Sequence, residues 1–397
     1  MLISILSGSA SALFLISLNW VTNQRIQHPE FIYGLPIAGL LIGYFYQKFG
    51  HQIDKGNNLI LEEIEKPSSK ISFRMTPMVW AGTLLTHLFG GSAGREGTAV
   101  QMGASIADQF QGLLKFEKHQ RYLLLVMGIA SGFAAVFGTP LAAILFSFEI
   151  IGWKKINFSS FLLAIIVAFG ANFVCHLFPI QHINYQVFNL PNINLSNLFW
   201  LVLIGIIFGL CSILFIQTGH FFKNKIFSFI QNLPLKAFIG GAVILILVLI
   251  FDLKPYLGLG ISTIQESFKY QLNEFEFLKK LLLTVFTLAA GFKGGEVTPL
   301  FFIGATLGNL LHYIVPFSIS ALAAFGFVSV FSGATKTPFA CILMGCELFG
   351  FSIMPYFVIT CIVAYSFSGN ESIYSAQNNL LKNHPLDLIR IKLKKKA

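Results

Sequence analysis

Ionisable side chains are scarce in this chain of 397 residues: Asp, Glu, Lys and Arg together make up 11% of it, and only 17 residues are acidic. A soluble domain carries about a quarter charged residues, so this composition, with 55% hydrophobic residues, excludes an ordinary water-facing surface. Cysteine is also sparse. Its five occurrences (175, 211, 341, 346 and 361) lie in apolar sequence without metal-ligand spacing, which makes them packing residues and leaves no metal or cofactor to expect. Long polar stretches are nearly absent, with Gln181 to Asn197 the one hydrophilic segment of any length in mid-chain. The first apolar run, Leu2 to Trp20, has no basic flank before it and no small-residue cleavage site, so it reads as a retained segment rather than a leader.

What the chain does have is apolar runs. They recur at Ile32 to Tyr46, Tyr122 to Ile151, Phe161 to Phe178, Leu198 to Ile216, Phe238 to Phe251, Leu281 to Phe292, and almost unbroken from Leu300 to Phe367. This pattern predicts an all-α polytopic membrane protein. Several runs are shorter than the ~20 residues of a perpendicular span or are interrupted by Gly and Pro, so tilted and broken helices are expected. The net charge of +10 is not a nucleic-acid signature, because the basic residues sit at the ends of apolar runs: Lys115, Lys118 and Arg121; Lys154 and Lys155; Lys223 and Lys225; Lys279 and Lys280. The segment Arg390 to Lys396 adds a basic tail. By the positive-inside rule it places the C-terminus in the cytoplasm, beside anionic lipid.

The chain also repeats itself. Gly94-Arg95-Glu96-Gly97-Thr98 matches Gly294-Gly295-Glu296-Val297-Thr298 at an offset of 200, and Gly103-Ala104-Ser105 matches Gly304-Ala305-Thr306 at 201. Thr139-Pro140 through Glu149 matches Thr337-Pro338 through Glu347 at 198. Three blocks in order imply two halves, about 1–190 and 191–370, within one transport domain spanning 1–397 and closed by a short basic tail, 375–397. Thr-Pro at 139–140, 298–299 and 337–338 predicts N-capping hydroxyls before a Pro at the first helical position, with Thr98 in the equivalent place.

Chemistry concentrates between Gly90 and Gly103. Glycines let the backbone approach a ligand closely, the first amides of a following helix are unpaired donors, and a charge at membrane depth costs about 2.5–3.5 kcal/mol on insertion scales. Glu96 and Glu296, each before a helix start, are therefore the candidates for an anion site. An ionised carboxylate fills such a site, and a protonated one leaves it to an external anion. Glu149 and Glu347, nine residues after their prolines, suit a structural or interfacial role. Arg95 is expected to face an aqueous vestibule, because adjacent residues at a turn point apart.

At these residues the sequence resembles the CLC family of chloride channels and proton-coupled anion antiporters. Gly94 to Thr98 is similar to the family's Gly-Arg/Lys-Glu-Gly-Pro gate with Thr98 for Pro. Gly295-Glu296-Val297-Thr298-Pro299 is similar to its Gly-x-Phe-x-Pro element with Val297 for Phe. Gly56-Asn57-Asn58-Leu59-Ile60 stands where the family has Gly-Ser-Gly-Ile-Pro, and Tyr374 where it has a late tyrosine. These departures resemble the fluoride-specific branch. The resemblance implies a fold of two inverted-topology repeats, fluoride export in exchange for protons, and a homodimer in the cell membrane. It makes Glu96 the gating glutamate and Glu296 the central one, and it implies an anion site of Asn57, Asn58, Gly94, Arg95, Gly97, Thr98, Gly295, Val297, Thr298 and Tyr374. It also implies no enzyme activity, no cofactor, and no room after the transport domain for the nucleotide-binding modules of some relatives. A chloride/proton antiporter or chloride channel is the nearest rival. A remote one is an intramembrane serine protease, since Gly90-Gly91-Ser92-Ala93-Gly94 fits Gly-x-Ser-x-Gly and His87, His176, His220 or His312 could supply a base.

Overall fold

The computed structural model describes residues 1–113, 117, 120–153, 156–180 and 185–380. Lys115, Lys118, Lys154, Lys155 and the tail from Arg390 to Lys396 lie outside the described residues. Among the described residues, four helical stretches are long and apolar enough to cross a membrane: α1 (Leu2–Gln27), α8 (Phe158–His176), α9 (Leu195–Phe221, continued by irregular turns to Phe229) and α10 (Leu233–Phe251). Three of them start on a polar cap. The side chains of Asn157, Asn194 and Asn232 accept from the amides of Ser160, Asn197 and Leu235.

The remaining helices are short, as the interrupted runs predict. They are α2 (Leu35–Phe45), α3 (Asn57–Glu65), α4 (Met75–Leu88), α5 (Glu96–Asp108), α6 (Arg121–Phe137) and α7 (Pro140–Glu149) in the first part of the chain. The second part holds α11 (Ile261–Ser267), α12 (Glu276–Ala289), α13 (Val297–Leu311), α14 (Ile319–Thr335), α15 (Pro338–Phe349), α16 (Met354–Phe367) and α17 (Gln377–Leu380). Two of the breaks have the same cause. α6 ends on Gly138 (φ 74°) and α14 on Lys336 (φ 60°), left-handed residues that stop a helix, and Pro140 and Pro338 start the next one.

The packing recurs along the chain. α1 lies on α6 and α8 as α9 lies on α14 and α16, and α5 packs on α6 as α13 packs on α14. Glycine makes the closest of these contacts: a β-carbon on Gly103 would strike the carbonyl of Gly128, and one on Gly304 that of Gly326, so each helix pair approaches backbone to backbone. Where the two parts meet, like elements face each other. α2 packs on α10 and α7 on α15.

Glu149 and Glu347 join that last pair reciprocally. The Glu149 carboxylate accepts from the amides of Phe339 (3.1 Å) and Ala340 (2.8 Å) at the start of α15, and Glu347 from Leu141 (3.0 Å) and Ala142 (2.8 Å) at the start of α7. These carboxylates displace the expected threonine caps. Thr139 and Thr337 hold the cap positions without making a side-chain capping bond, because the amides they would serve are already taken. Thr98 and Thr298 are not caps at all: α5 begins at Glu96 and α13 at Val297, which puts both threonines inside the first turn. Lys280 departs from expectation too. Instead of flanking a span, it is completely buried on α12, donating to the carbonyls of Tyr256 (2.9 Å) and Gly258 (2.7 Å).

Candidate functional site

The two glycine loops that precede α5 and α13 touch. Gly94 N–H donates to the Gly295 carbonyl at 2.6 Å and Gly295 N–H returns the bond at 2.8 Å, a single antiparallel bridge. A β-carbon on Gly94 would come within 2.9 Å of the Gly295 oxygen, so only glycine permits the approach. The family resemblance implies that both glycines belong to an anion site; their amides bond each other, and Gly94 and Gly295 dock the loops. Hydroxyls from the preceding helices cross over to help: Thr287 on α12 accepts from Ser92 N–H at 3.3 Å, and Thr86 on α4 accepts from Lys293 N–H at 3.2 Å.

Docking places Glu96 on the start of α13. Its carboxylate accepts from Thr298 N–H at 3.0 Å and lies 2.6 Å from the Thr298 hydroxyl through both oxygens. The side chain is 2% exposed. An amide and a hydroxyl at a helix N-terminus converge there on one negative charge, a favourable arrangement because these donors are otherwise unpaired and lie at the positive end of the helix dipole. Arg95 was expected to face an aqueous vestibule and to point away from Glu96. It lines the smaller of the two cavities described below, yet its N–H donates to Glu96 at 3.2 Å and its Nε lies 3.4 Å from the other oxygen. Thr98 stands one layer back, its hydroxyl 2.8 Å from that of Thr83.

Glu296, Asn57, Gly97 and Tyr374 meet on the other side of the bridge. A β-carbon at Gly97 would lie 3.1 Å from Asn57 Nδ2, 3.1 Å from Gly295 Cα and 3.8 Å from Glu296 Oε2, which measures how tightly they converge. The buried Tyr374 hydroxyl interacts with the Asn57 side chain and lies near both glutamates, while Asn57 Oδ1 is buried without a partner. Asn58 faces the other way, accepting from Ala376 N–H (2.9 Å) and the Ser375 hydroxyl (3.3 Å). Val297 is buried in the first turn of α13.

Two separate cavities reach this centre, and they share no lining residue. The larger, about 400 Å³, runs up to Glu296 and Asn58 between Lys223, Lys236, Lys293 and Asp54. Lys293 bonds Asp54 at 2.5 Å and lies 4.1 Å from the centre of the Tyr46 ring. The smaller, about 40 Å³, lies against Arg95, Glu96 and Thr298, with Tyr185, Phe301 and Phe327 among its walls. Sequence reasoning missed the lysine-lined cavity, because its walls come from segments far apart in the chain. Lys293 was within reach of it, standing one residue before the repeated Gly294 motif.

Among the described hydrogen bonds, none joins Ser92 to a histidine. The Ser92 hydroxyl pairs with Thr284 at 2.9 Å, whereas His176 and His312 bond backbone carbonyls and His220 faces Glu371 at 3.4 Å. Neither ring nitrogen of His87 has a hydrogen-bond partner.

A carboxylate seated on helix-terminal donors beside a cavity holds a place that an anion could take. The family profile described as Voltage gated chloride channel matches residues 38–369. The chain belongs to the CLC family. It is 42% identical over 386 residues to a "Chloride/fluoride channel protein" of Pseudomonas syringae pv. tomato, covering 95% of this chain and 84% of that one. Among solved structures, a CLC-type fluoride/proton antiporter superposes with a TM-score of 0.91 at 36% identity, over 95% of each chain. An H(+)/Cl(-) exchange transporter ClcA of Klebsiella pneumoniae is 25% identical over 93% of this chain and 85% of its own. This CLC chain is thus a multi-pass membrane protein with the inverted-repeat helical fold of its family.

Proposed function

We propose that the protein exports fluoride across the cell membrane in exchange for protons, conferring fluoride resistance. The observation that carries this is the Glu96 carboxylate seated on Thr298 N–H and Oγ, a position an anion takes when the carboxylate gives it up. Protonation removes the charge that α13 holds, so Glu96 leaves with a proton and fluoride binds the same donors. Fluoride is smaller and more strongly hydrated than chloride, and replacing its water calls for strong donors close by. Thr298 Oγ, the Asn57 amide and the Tyr374 hydroxyl are such donors, and Val297 precedes Thr298 in the first turn of α13. The likeness to a "Chloride/fluoride channel protein" and to a fluoride/proton antiporter supports the same substrate.

The orientation follows from charge. Ser375, in the wall of the lysine-lined cavity, leads into the basic tail, so that cavity opens to the cytoplasm and collects fluoride. The small pocket at Glu96 then faces outward, in a membrane of bacterial inner-membrane type. The two halves, 1–190 and 191–370, form one transport domain, and the protein works as a homodimer with a pathway in each subunit. Efflux from proteoliposomes loaded with fluoride or chloride, with pH recorded outside, tests the proposal. Fluoride leaves as protons enter; rapid chloride efflux would favour the chloride/proton antiporter, and fluoride efflux without proton movement a channel.

A further inference from the structure

A third cavity, of about 450 Å³, shares no lining residue with the two that reach the transport centre. It lies between the turn that follows α2, the start of α3 and the segment leading into α4. His51, Lys70 and Arg74 line it, with the hydroxyl-bearing Ser69 and Ser72, and no acidic residue does among the described residues. The carboxylates of this region are engaged by other cations: Glu63 and Asp108 by Arg121 at 2.7 and 2.6 Å, Glu62 by Lys55 at 2.6 Å, and Asp54 by Lys293. The basic side chains of the pocket are exposed and nearly unpartnered. Lys70 donates to the Gln109 carbonyl at 3.3 Å, and neither the Arg74 guanidinium nor the His51 ring has a hydrogen-bond or ion-pair partner among the described residues.

The wall that carries two of these charges is held in place. Ile71 N–H donates to Asp108 at 2.7 Å, Gln109 Nε2 to the Ile71 carbonyl at 2.9 Å, and Ser68 N–H to Glu63 at 2.8 Å. The rim of the pocket is apolar. Ile37, Leu41, Tyr44 and Phe45 form an exposed stripe along α2, four residues at helical spacing, and the stripe runs on to Phe49 in the pocket wall. Phe73, between Ser72 and Arg74, is 55% exposed. An apolar face that ends in aromatic and basic residues marks where a chain leaves the hydrocarbon at headgroup depth. A free anion has no use for that face, whereas a lipid has acyl chains to lay on it.

We propose that this pocket binds the phosphate headgroup of an anionic phospholipid, with the acyl chains along the exposed face of α2. Arg74 and Lys70 pair with the phosphate, the planar guanidinium offering two parallel N–H groups, and His51 stands at the other wall as a further donor. The pocket adjoins the lysine-lined cavity, because Gln52 and Ile53 line the one and Asp54 the other. In the orientation proposed above, the lipid therefore belongs to the cytoplasmic leaflet; the binding itself does not depend on what the protein transports.

Native mass spectrometry of the full chain in detergent, titrated with dioleoylphosphatidylglycerol or dioleoylphosphatidylcholine, tests the site. Wild type takes up the anionic lipid at the lower concentration. In Lys70→Gln/Arg74→Gln the concentration for half-occupancy by phosphatidylglycerol rises about fivefold or more, as expected for losing charge-assisted bonds, and Lys70→Arg/Arg74→Lys restores it. Lys225→Gln/Lys269→Gln, which removes two exposed lysines outside the pocket, leaves it unchanged. All four substituted side chains are exposed, so the lipid-free variants keep the wild-type thermal midpoint, which separates lost binding from lost folding. Wild-type binding in the pocket variant, or equal loss in both charge-removing variants, overturns the site. Inorganic phosphate that binds as tightly as the lipid, and is lost in the same variant, would make the occupant a free oxyanion and overturn the lipid.

Discussion

In the proposed export cycle Glu96 is both plug and carrier. Its oxygens take the donors that an anion would use, and its charge is the feature a proton removes. In Glu96→Gln the amide keeps the shape but cannot carry a proton, so proton uptake coupled to fluoride efflux falls to background in a liposome pH assay; wild-type coupling in that variant would remove Glu96 from the cycle. Glu96 and Glu296 were legible as candidates because a charge in apolar, glycine-rich sequence demands a reason. The role of Thr298 was not. In sequence it looked like a cap before Pro299, and only its placement in the first turn of α13, facing a residue 202 positions away, makes it a donor to Glu96.

At the scale of elements, the short helices owe their ends to partners elsewhere in the chain. α7 and α15 begin on each other's carboxylates, and a charged cap accepting two amides is worth about 1–2 kcal/mol. Glu347→Gln is expected to lower the unfolding midpoint in detergent by a few degrees, and Glu149→Gln, at the fully buried end, by more. A second device ties α3, α5 and α6 together at their polar ends. Arg121 grips Asp108 through Nε (2.6 Å) and Nη2 (2.7 Å), and Glu63 through Nη1 (2.7 Å). Burial pushes the Glu63 carboxyl up, but hydrogen bonds from Ser68, Arg121 and Ser69 outweigh it and hold the group below its ordinary value. A carboxyl lowered on folding stabilises the protein above its unfolded pKa, about 4.3, and loses that contribution as pH falls through the lower folded value. Acidification below about pH 4 should therefore reduce the thermal midpoint of wild type more than that of Glu63→Gln.

At the scale of the whole molecule, the cavity of about 400 Å³ gathers Lys223, Lys236 and Lys293 in front of Glu296. Positive walls raise the local concentration of anions, an effect that salt screens over about 10 Å at 0.1 M. Neutralising two of them in Lys223→Gln/Lys236→Gln should slow fluoride transport from the lysine-lined side several-fold at low ionic strength and much less in high salt. Equal losses at both ionic strengths would mean the lysines act through local structure instead.

The amino-acid sequence by itself determined the membrane class, the broken helices, the doubled motif and the two glutamates at its heart, because each depends on local composition and spacing. Tertiary structure alone decided what those groups touch. Gly94 and Gly295 are turned to each other, Arg95 folds back on Glu96, and Lys280 is fully buried where its place at the end of an apolar run suggested an exposed flank. The physical reason is the same in each case: a hydrogen bond or a cavity wall is shared by residues up to 318 positions apart, and no local pattern records which partner the folded chain brings within 3 Å.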